Sequence, residues 1–546
     1  MDPSARKERG AYYTDPSIAE FLVRWAVRHS SDRVLDPCFG GGVFVQAATH
    51  RISSLGGRPA QSITGIELDP LTHRKTSEAL SIHGDLPRLM CHDFFTLDAS
   101  HLGHFSAVVG NPPFIRYQRF NGARRTLALR RASEAGVRLT ALTSAWAPFL
   151  AHAVALLKPN GRLAMVAPTE LCHAAYARPL LQFLGRRFGR VRVLTFARRI
   201  FPDLSEDTVL VLGEGYSRGQ GDIRLVSLPD SAALNDRATK RLDGTPVEGD
   251  ALGRGVVRLI THLLPERTRI LYDSLAHLAG VSPLGAIASS GIGYVTGKND
   301  FFHLSATEAA QHRIPSEFLI PAIRRSAWLT GLSFTERDWR VFAKAGQKCR
   351  LLTLTGPRRD LPAAVKAYLE TGQAQGVHEA YKCRTRDPWY KVPHVVVPDL
   401  FLSYMANARP ALAVNDAQAV ANNTLLCVRL HPLAGVAPHA LAAGWWTSLA
   451  ALSAEIEGHS LGGGMLKLEP GEAVKVLIPL PSSLLRGHLS RDLSSRLDVL
   501  VRRKAYAAAL DLGDQEILRN GLGLSSEDCS MLRKGFTFLM DRRRDR

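Results

Sequence analysis

From residue 15 to about 215 the chain alternates stretches of helical period with short apolar runs, and no other feature restricts its fold as much. Helices are predicted over residues 18–27, from 43 onward, over 70–80 and over 141–157. Strands are predicted over 33–35, 62–66, 105–109 and 161–166, with a closing pair over 191–196 and 208–212. Strands that alternate with helices pack as a mostly parallel sheet covered on both faces, a doubly wound α/β domain. Ligands in such sheets bind at the carboxyl ends of the strands, so the residues there carry the functional information.

The first strand runs into Asp36-Pro37-Cys38-Phe39-Gly40-Gly41-Gly42-Val43-Phe44 directly before a helix. Three glycines let the backbone turn tightly and approach a ligand closely, although a structural turn alone would account for them. The second strand ends at Glu67-Leu68-Asp69, with Glu67 lying 25 residues beyond Gly42. That is near the offset of about 20 at which a carboxylate reaches ribose hydroxyls. His92-Asp93-Phe94-Phe95 places a third acid at the tip of a third strand. Each acid taken singly could be a helix cap. Together they suit an adenosine moiety held without a pyrophosphate.

The fourth strand ends in Gly110-Asn111-Pro112-Pro113-Phe114. Two prolines remove two N–H donors and leave carbonyls and the asparagine oxygen as acceptors beside an aromatic ring. Two acceptors and a stacking surface suit an exocyclic amine; a rigid Pro-Pro turn with a core phenylalanine is the plain alternative.

Composition narrows the partner. The 546 residues include 69 Lys+Arg against 50 Asp+Glu, a formal net charge of +19. Such an excess favours a polyanion, nucleic acid before a membrane surface. Part of it lies just after the asparagine motif, where Arg116, Arg119, Arg124, Arg125, Arg130, Arg131 and Arg138 face the single acid Glu134. These arginines are read as contacts to nucleic-acid phosphates rather than as a merely solvated helix. The seven cysteines stand singly with no C-x-x-C pair, which argues against a zinc knuckle or a disulfide framework and fits a reducing cytoplasm. The N-terminus has no signal-peptide core, and the apolar run over 144–157 is shorter than the roughly 20 residues a bilayer needs. A soluble protein without a metal site is expected.

With these residues in place the chain resembles the class I S-adenosylmethionine-dependent DNA N6-adenine methyltransferases, in the TaqI-like branch with a C-terminal target-recognition domain. Asp-Pro-x-x-Gly-x-Gly-x-Phe matches at Asp36, Pro37, Gly40, Gly42 and Phe44, and Asn-Pro-Pro-Phe at Asn111 to Phe114. The family's first motif appears as Gly10-Ala11-Tyr12-Tyr13-Thr14-Asp15, where Asp15 replaces the usual proline. Leu157-Lys158-Pro159-Asn160-Gly161 and Phe201-Pro202 also match. Gly293 to Phe301, Asp387-Pro388-Trp389-Tyr390 and Gly462 to Lys467 resemble landmarks of the recognition domain.

The resemblance implies a Rossmann-like catalytic domain followed by a mixed α+β recognition domain and a helical C-terminus. It implies S-adenosylmethionine as cofactor, with Thr14 and Asp36 near its methionine part, Pro37, Gly40 and Gly42 forming the turn against it, Glu67 and Leu68 at the ribose, Asp93 at the adenine amine, and Tyr12 and Phe94 packed nearby. Asn111, Pro112, Pro113 and Phe114 would be catalytic. Phe114 and Phe201 would hold an extruded adenine between them, since such a pocket cannot reach a base inside a duplex.

The expected organisation is a catalytic domain over 1–245, a linker over 246–269, a recognition domain over 270–485 and a helical segment over 486–546 ending in frayed basic residues; the Gly-, Asp- and Ser-rich stretch from Glu214 to Gly255 reads as a domain connection, and short strands are expected over 395–397, 424–428 and 474–478. The expected partner is double-stranded DNA, together with a separately encoded restriction endonuclease, in a bacterial cytoplasm and at the nucleoid. A fused N-terminal nuclease is not expected. Methylation of RNA adenine, cytosine N4 or a protein glutamine, and a silent DNA-binding specificity subunit, remain as other readings.

Overall fold

A computed structural model describes residues 14–81, 87–201, 207–219, 221–235, 242–254, 258–461, 463–485 and 487–544. The chain forms two compact units that divide between Pro265 and Glu266.

The first unit is built on a nine-stranded sheet. Its strands are β1 Val34–Asp36, β2 Ile63–Glu67, β3 Arg88–Cys91, β4 Phe105–Gly110, β5 Leu157–Pro168, β6 Phe188–Phe196, β7 Thr208–Tyr216, β8 Asp222–Leu228 and β9 Thr245–Glu248. They lie in the order β3-β2-β1-β4-β5-β7-β6-β8-β9. Strands β1 to β5 are mutually parallel, and β7 enters antiparallel between β5 and β6. The order reverses between β1 and β4, the switch point at which open α/β sheets bind ligands.

The main helices of this unit are α1 Pro16–Ala26, α2 Val43–Ser54, α3 Pro70–Ser81, α4 Gly122–Ala135, α5 Trp146–Ala155 and α6 Arg178–Arg187. Helix α1 starts where Asp15 Oδ1 accepts the Ser17 N–H at 2.8 Å, with Pro16 supplying the preset φ of a first turn. Its Ile18, Leu22 and Val23 join Val34, Leu35, Val108 and Leu163 in one apolar core.

Three elements differ from the sequence expectation. Helix α5 begins at Trp146 rather than 141, because the Ala145 N–H is held by the Ile115 carbonyl at 2.9 Å and the preceding segment runs as a turn. Strand β5 begins at Leu157 rather than 161. Phe105 pairs with Leu157 but Ala107 pairs with Arg162, so Lys158 to Gly161 bulge out of the ladder. The polar stretch after Glu214 is not a domain connection, and neither is the start of the expected linker at 246–269. Asp222–Leu228 and Thr245–Glu248 pair antiparallel as the sheet's outer strands, and Leu259–Leu263 forms a 3-10 helix still inside the first unit. Outer strands carry ion pairs such as Arg190–Asp222 at 3.1 Å, which is why their sequence reads as loop.

The second unit holds several small sheets. One runs Ala288–Ile292, Leu425–Leu430, Leu400–Ser403 and Leu412–Val414; another runs His303–Leu304, Arg350–Leu352, Leu319–Ile323 and Val420–Ala421. The apolar run at 395–397 is not a strand. Helices α7 Tyr381–Arg384, α8 Ser448–Glu457, α9 Gly487–Arg502 and α10 Ser526–Arg544 belong to this same unit, so the helical C-terminal segment is part of its body.

The basic end of α10 is not frayed. Arg543 is buried and donates Nε and Nη2 to the two oxygens of buried Glu455 on α8, at 3.0 and 2.7 Å. The same guanidinium donates to the carbonyls of Asn407 at 2.8 Å, Ala408 at 3.1 Å and Gly464. Breaking one side of a buried, fully bonded pair costs about 3–5 kcal/mol because the other charge is stranded. Arg543→Ala is therefore expected to lower the stability of the second unit by about that amount in urea unfolding, with the double variant Glu455→Met/Arg543→Met less affected than either single replacement. Unchanged stability in Arg543→Ala would show that the pair does not clamp the unit.

Candidate active site at the sheet edge

At the end of β1 the chain turns through Gly40 at φ +49° and Gly42 at φ +81°, backbone that a residue with a Cβ rarely adopts. A Cβ on Gly42 would lie 2.7 Å from Thr76 Cγ2, whereas one on Gly40 would meet nothing closer than 3.9 Å. The first glycine thus leaves open space above the turn, and the second lets α3 pack against it. Neighbouring elements hold the turn in shape. Glu67 at the end of β2 accepts the Gly40 N–H at 3.0 Å through one oxygen and the Asp69 N–H at 2.8 Å through the other. Thr76 donates its hydroxyl to the Gly40 carbonyl at 2.7 Å. Leu68 beside it is exposed.

Asp36 closes β1 and is 1% exposed. Its Oδ1 accepts the Cys38 N–H at 3.2 Å, while Oδ2 is buried with no partner among the described residues. Burial pushes its pKa up to about 8, the Cys38 N–H opposes this, and the Glu67 charge adds to it.

After β3, Asp93 accepts the Phe95 N–H at 3.1 Å and pairs with Arg124 Nε of α4 at 2.9 Å. Phe94 is buried against Phe149 and His152, with ring centroids 4.7 and 4.6 Å apart. Its ring is thus a core element beneath the edge.

The end of β4 comes against the end of β1. A Cβ on Gly110 would sit 3.1 Å from Asp36 Oδ1, so a side chain there would press the carboxylate aside by a few tenths of an ångström. Asn111 follows. Its Nδ2 donates to Thr14 Oγ1 at 3.3 Å, its backbone carbonyl accepts the Cys38 thiol at 3.1 Å, and its Oδ1 is buried with no partner among the described residues. Two buried acceptors without donors, Asp36 Oδ2 and Asn111 Oδ1, therefore lie on strand ends that touch. Pro112 and Phe114 are buried, and Pro113 half-buried. Phe201 is buried too and borders a small cavity with Phe196, Ile200 and Thr208. Tyr12 and Pro202 lie outside the described residues.

Some partners escaped sequence reasoning. Glu170, just beyond β5 on the same edge, accepts the Tyr176 hydroxyl, and Trp146 Nε1 donates to Tyr176 at 3.1 Å. Burial, with the Glu170 charge next in size, holds the Tyr176 phenol well above its ordinary pKa. No spacing announces this group, because its members stand 6 to 30 residues apart.

The arginine run also has local partners. Besides the Arg124–Asp93 pair, Arg130 meets Glu134 at 3.5 Å. Arg131 reaches the Phe95 carbonyl, Asp98 and Glu134 at 3.0, 3.3 and 3.0 Å. Arg125 approaches the Phe120 carbonyl at 3.4 Å. Arg116 and Arg119 are exposed.

Comparison with known proteins agrees with the layout. Residues 2–176 match the family model of the N-6 DNA methylases, and residues 258–518 that of the C-terminal domain of the type II methyltransferase M.Eco57I. Residues 2–176 thus carry the likeness to the N-6 DNA methylases. This methylase is similar to the type II methyltransferase M.XamI of Xanthomonas campestris pv. amaranthicola, 24% identical over 483 residues, which cover 86% of this chain and 85% of that one. It is similar also to M.AccI of Acinetobacter calcoaceticus, 19% identical over 395 residues, 71% of this chain and 69% of the relative. Among solved structures, the type IIL restriction-modification enzyme MmeI, determined in complex with DNA, shares the fold with a TM-score of 0.59 at 12% identity, over 99% of this chain and 80% of that one.

The methylase is thus a DNA methyltransferase, and its methyl donor is S-adenosylmethionine. The residues present fit that cofactor: an unpartnered buried carboxylate oxygen on Asp36 and open space over Gly40 sit together at the switch point.

Asp36 also makes the cofactor-free protein pH-sensitive. Its folded pKa near 8 exceeds the unfolded value near 3.8, so the contribution to stability is full below about pH 4 and is lost as pH rises through about 8. Asp36→Asn is expected to raise the melting temperature of the cofactor-free protein, more at pH 8 than at pH 5. An equal shift at both values, or none, would mean that Asp36 is ionised in the folded state.

Proposed function

We propose that this methylase transfers the methyl group to N6 of an adenine rotated out of duplex DNA, as the modification enzyme of a restriction-modification system with a separately encoded endonuclease. The observation that carries the reading is the buried, unpartnered Asn111 Oδ1 held at the end of β4. An adenine amino nitrogen is a poor nucleophile because its lone pair is delocalised into the ring. Asn111 Oδ1 accepts one N6 hydrogen and the Pro112 carbonyl the other, which favours a pyramidal nitrogen with its lone pair directed at the methyl carbon. Thr14, bonded to Asn111 Nδ2, fixes the amide so that oxygen rather than nitrogen meets the base. The proline pair keeps the two acceptors in place before substrate arrives, and oriented acceptors of this kind are the main resource of such a site.

S-adenosylmethionine supplies a methyl group made electrophilic by its sulfonium. Around it Asp36 would offer its unpartnered oxygen to the cationic methionine part, Gly40 and Gly42 would shape the turn with Pro37, Glu67 and Leu68 would border the ribose, and Asp93 would accept from the adenine amine. Because Arg124 pairs with Asp93, its role is to position that acid rather than to meet a phosphate. Phe114 and Phe201 supply the apolar faces for the extruded base.

Asn111→Ala is expected to lower kcat by on the order of 10²–10³-fold or more, with S-adenosylhomocysteine affinity changed less than threefold. Methyl transfer to plasmid DNA from a methylation-free host, read by single-molecule sequencing, measures activity and target base together. N6-methyladenine in one short motif supports the reading. N4-methylcytosine would move the substrate to cytosine, and near wild-type turnover of Asn111→Ala would overturn the mechanism. Arg124→Ala is expected to weaken S-adenosylhomocysteine binding about threefold to tenfold in calorimetry, through Asp93, while the salt dependence of DNA binding stays as in the wild type. A flattened salt dependence with unchanged cofactor affinity would return Arg124 to the phosphates.

A further inference from the structure

We infer that one face of the second unit, the Gly297–Lys298 turn together with helix α7, Tyr381–Arg384, grips the phosphate backbone of the DNA. The inference rests on the reading of the chain as a DNA methyltransferase and says where its second unit holds the duplex.

The turn is built to stay still. Arg386 donates Nη2 to the Val295 carbonyl at 2.5 Å and Nη1 to the Thr296 carbonyl at 2.9 Å. Thr296 donates its hydroxyl to Asn299 Oδ1 at 2.7 Å. Beneath it His303 is fully buried; its Nδ1–H donates to the Asn299 carbonyl at 2.9 Å and its Nε2 accepts the Tyr294 hydroxyl at 2.7 Å. Arg324 holds the Asp300 carboxylate at 3.2 Å, and Lys348 the Asp300 carbonyl at 3.1 Å. Two arginines, a lysine and a histidine are thus spent on a segment of six residues, whose exposed cation is Lys298; Asn299 and Asp300 are exposed beside it, the Asp300 carboxylate answered by Arg324.

Helix α7 packs directly on this turn. Gly297 has φ +87°, and a Cβ there would lie 3.0 Å from Lys382 Cβ and 3.1 Å from Cys383 Sγ. Tyr381 is 65% exposed, and its ring has the Lys382 ammonium and the Arg384 guanidinium each 5.5 Å from its centroid. Lys298, Lys382 and Arg384 have no carboxylate within 4.0 Å among the described residues. Unneutralised cations gathered beside an exposed ring repel one another until a polyanion arrives, and cations interleaved with aromatic rings mark surfaces that bind nucleic acid.

The chemistry favours backbone over base edges. Bidentate reading of adenine needs both ends of an amide, and Asn299 has its oxygen tied to Thr296. What the face offers is positive charge on a rigid mount. The contrast with α4 is direct: the arginines that are densest in sequence meet Asp93, Asp98 and Glu134, whereas these sparser cations meet no carboxylate among the described residues.

The test uses the full chain with S-adenosylhomocysteine and a fluorescein-labelled duplex of mixed sequence, with anisotropy read across a salt series. Each phosphate that the protein ceases to neutralise reduces the slope of log K against log salt by about 0.9. The variant K298Q/K382Q/R384Q is expected to reduce it by about 2–3 and to weaken binding at least tenfold, with melting temperature and S-adenosylhomocysteine affinity unchanged. R130Q, which alters an arginine paired with Glu134, is expected to keep the wild-type slope. A triple variant with wild-type slope and affinity, in a protein that binds and methylates DNA, overturns the surface. A wild-type protein that neither binds duplex nor methylates it overturns the functional reading instead.

Discussion

Two parallel strands that end side by side with no side chain between them are the constraint on which the first unit's chemistry depends. Gly110 lies so near Asp36 that any Cβ would crowd its carboxylate. That approach brings the acid of β1 and the amide of β4 together, as the proposed reaction requires. Each ends in an oxygen removed from water and given no donor, at about 1–3 kcal/mol per unsatisfied group. The large apolar core under the sheet tolerates that cost, and in the proposed reaction substrate and cofactor bring the missing donors. Stability is thereby lowered where function needs unsatisfied acceptors.

Charge is distributed by what it touches more than by where it is dense. In the first unit Arg124 and Arg131 of the arginine-rich helix α4 meet Asp93 and Asp98, which fastens the helix to the loop after β3. In the second unit arginines serve as internal ties too, among them Arg543 closing α10 onto α8 and Arg386 gathering two carbonyls of a turn. A net charge of +19 therefore overstates the positive surface, and what remains unpaired acquires more meaning.

How much was legible in the sequence depends on the range of each interaction. The strand tips are local patterns: Asp36 to Phe44, Glu67, Asp93 and Asn111 to Phe114 could be found from strand-then-turn punctuation, and four adjacent parallel strands bring them to one edge. Contacts across long separations were invisible, such as Thr14 to Asn111 over 97 residues and Tyr176 to Trp146 over 30. The outer strands β8 and β9 were misread as a connection because strands at a sheet margin carry polar residues, which remove the alternation that marks a strand. The partners of the arginine run were hidden for a related reason: composition counts charges, and only coordinates show that carboxylates answer Arg124, Arg130 and Arg131.

The Arg543 clamp has a consequence in time. It joins the segment at 407–408, Glu455, Gly464 and the end of α10, so the second unit cannot close until residue 543 has been made. The strands that carry Asp36, Glu67 and Asn111, and the sheet around them, are complete by residue 248. At about 5–20 residues per second the ribosome needs roughly a quarter of a minute to a minute to span that difference. During synthesis the sheet that bears the proposed donor site is thus complete well before the second unit can be closed.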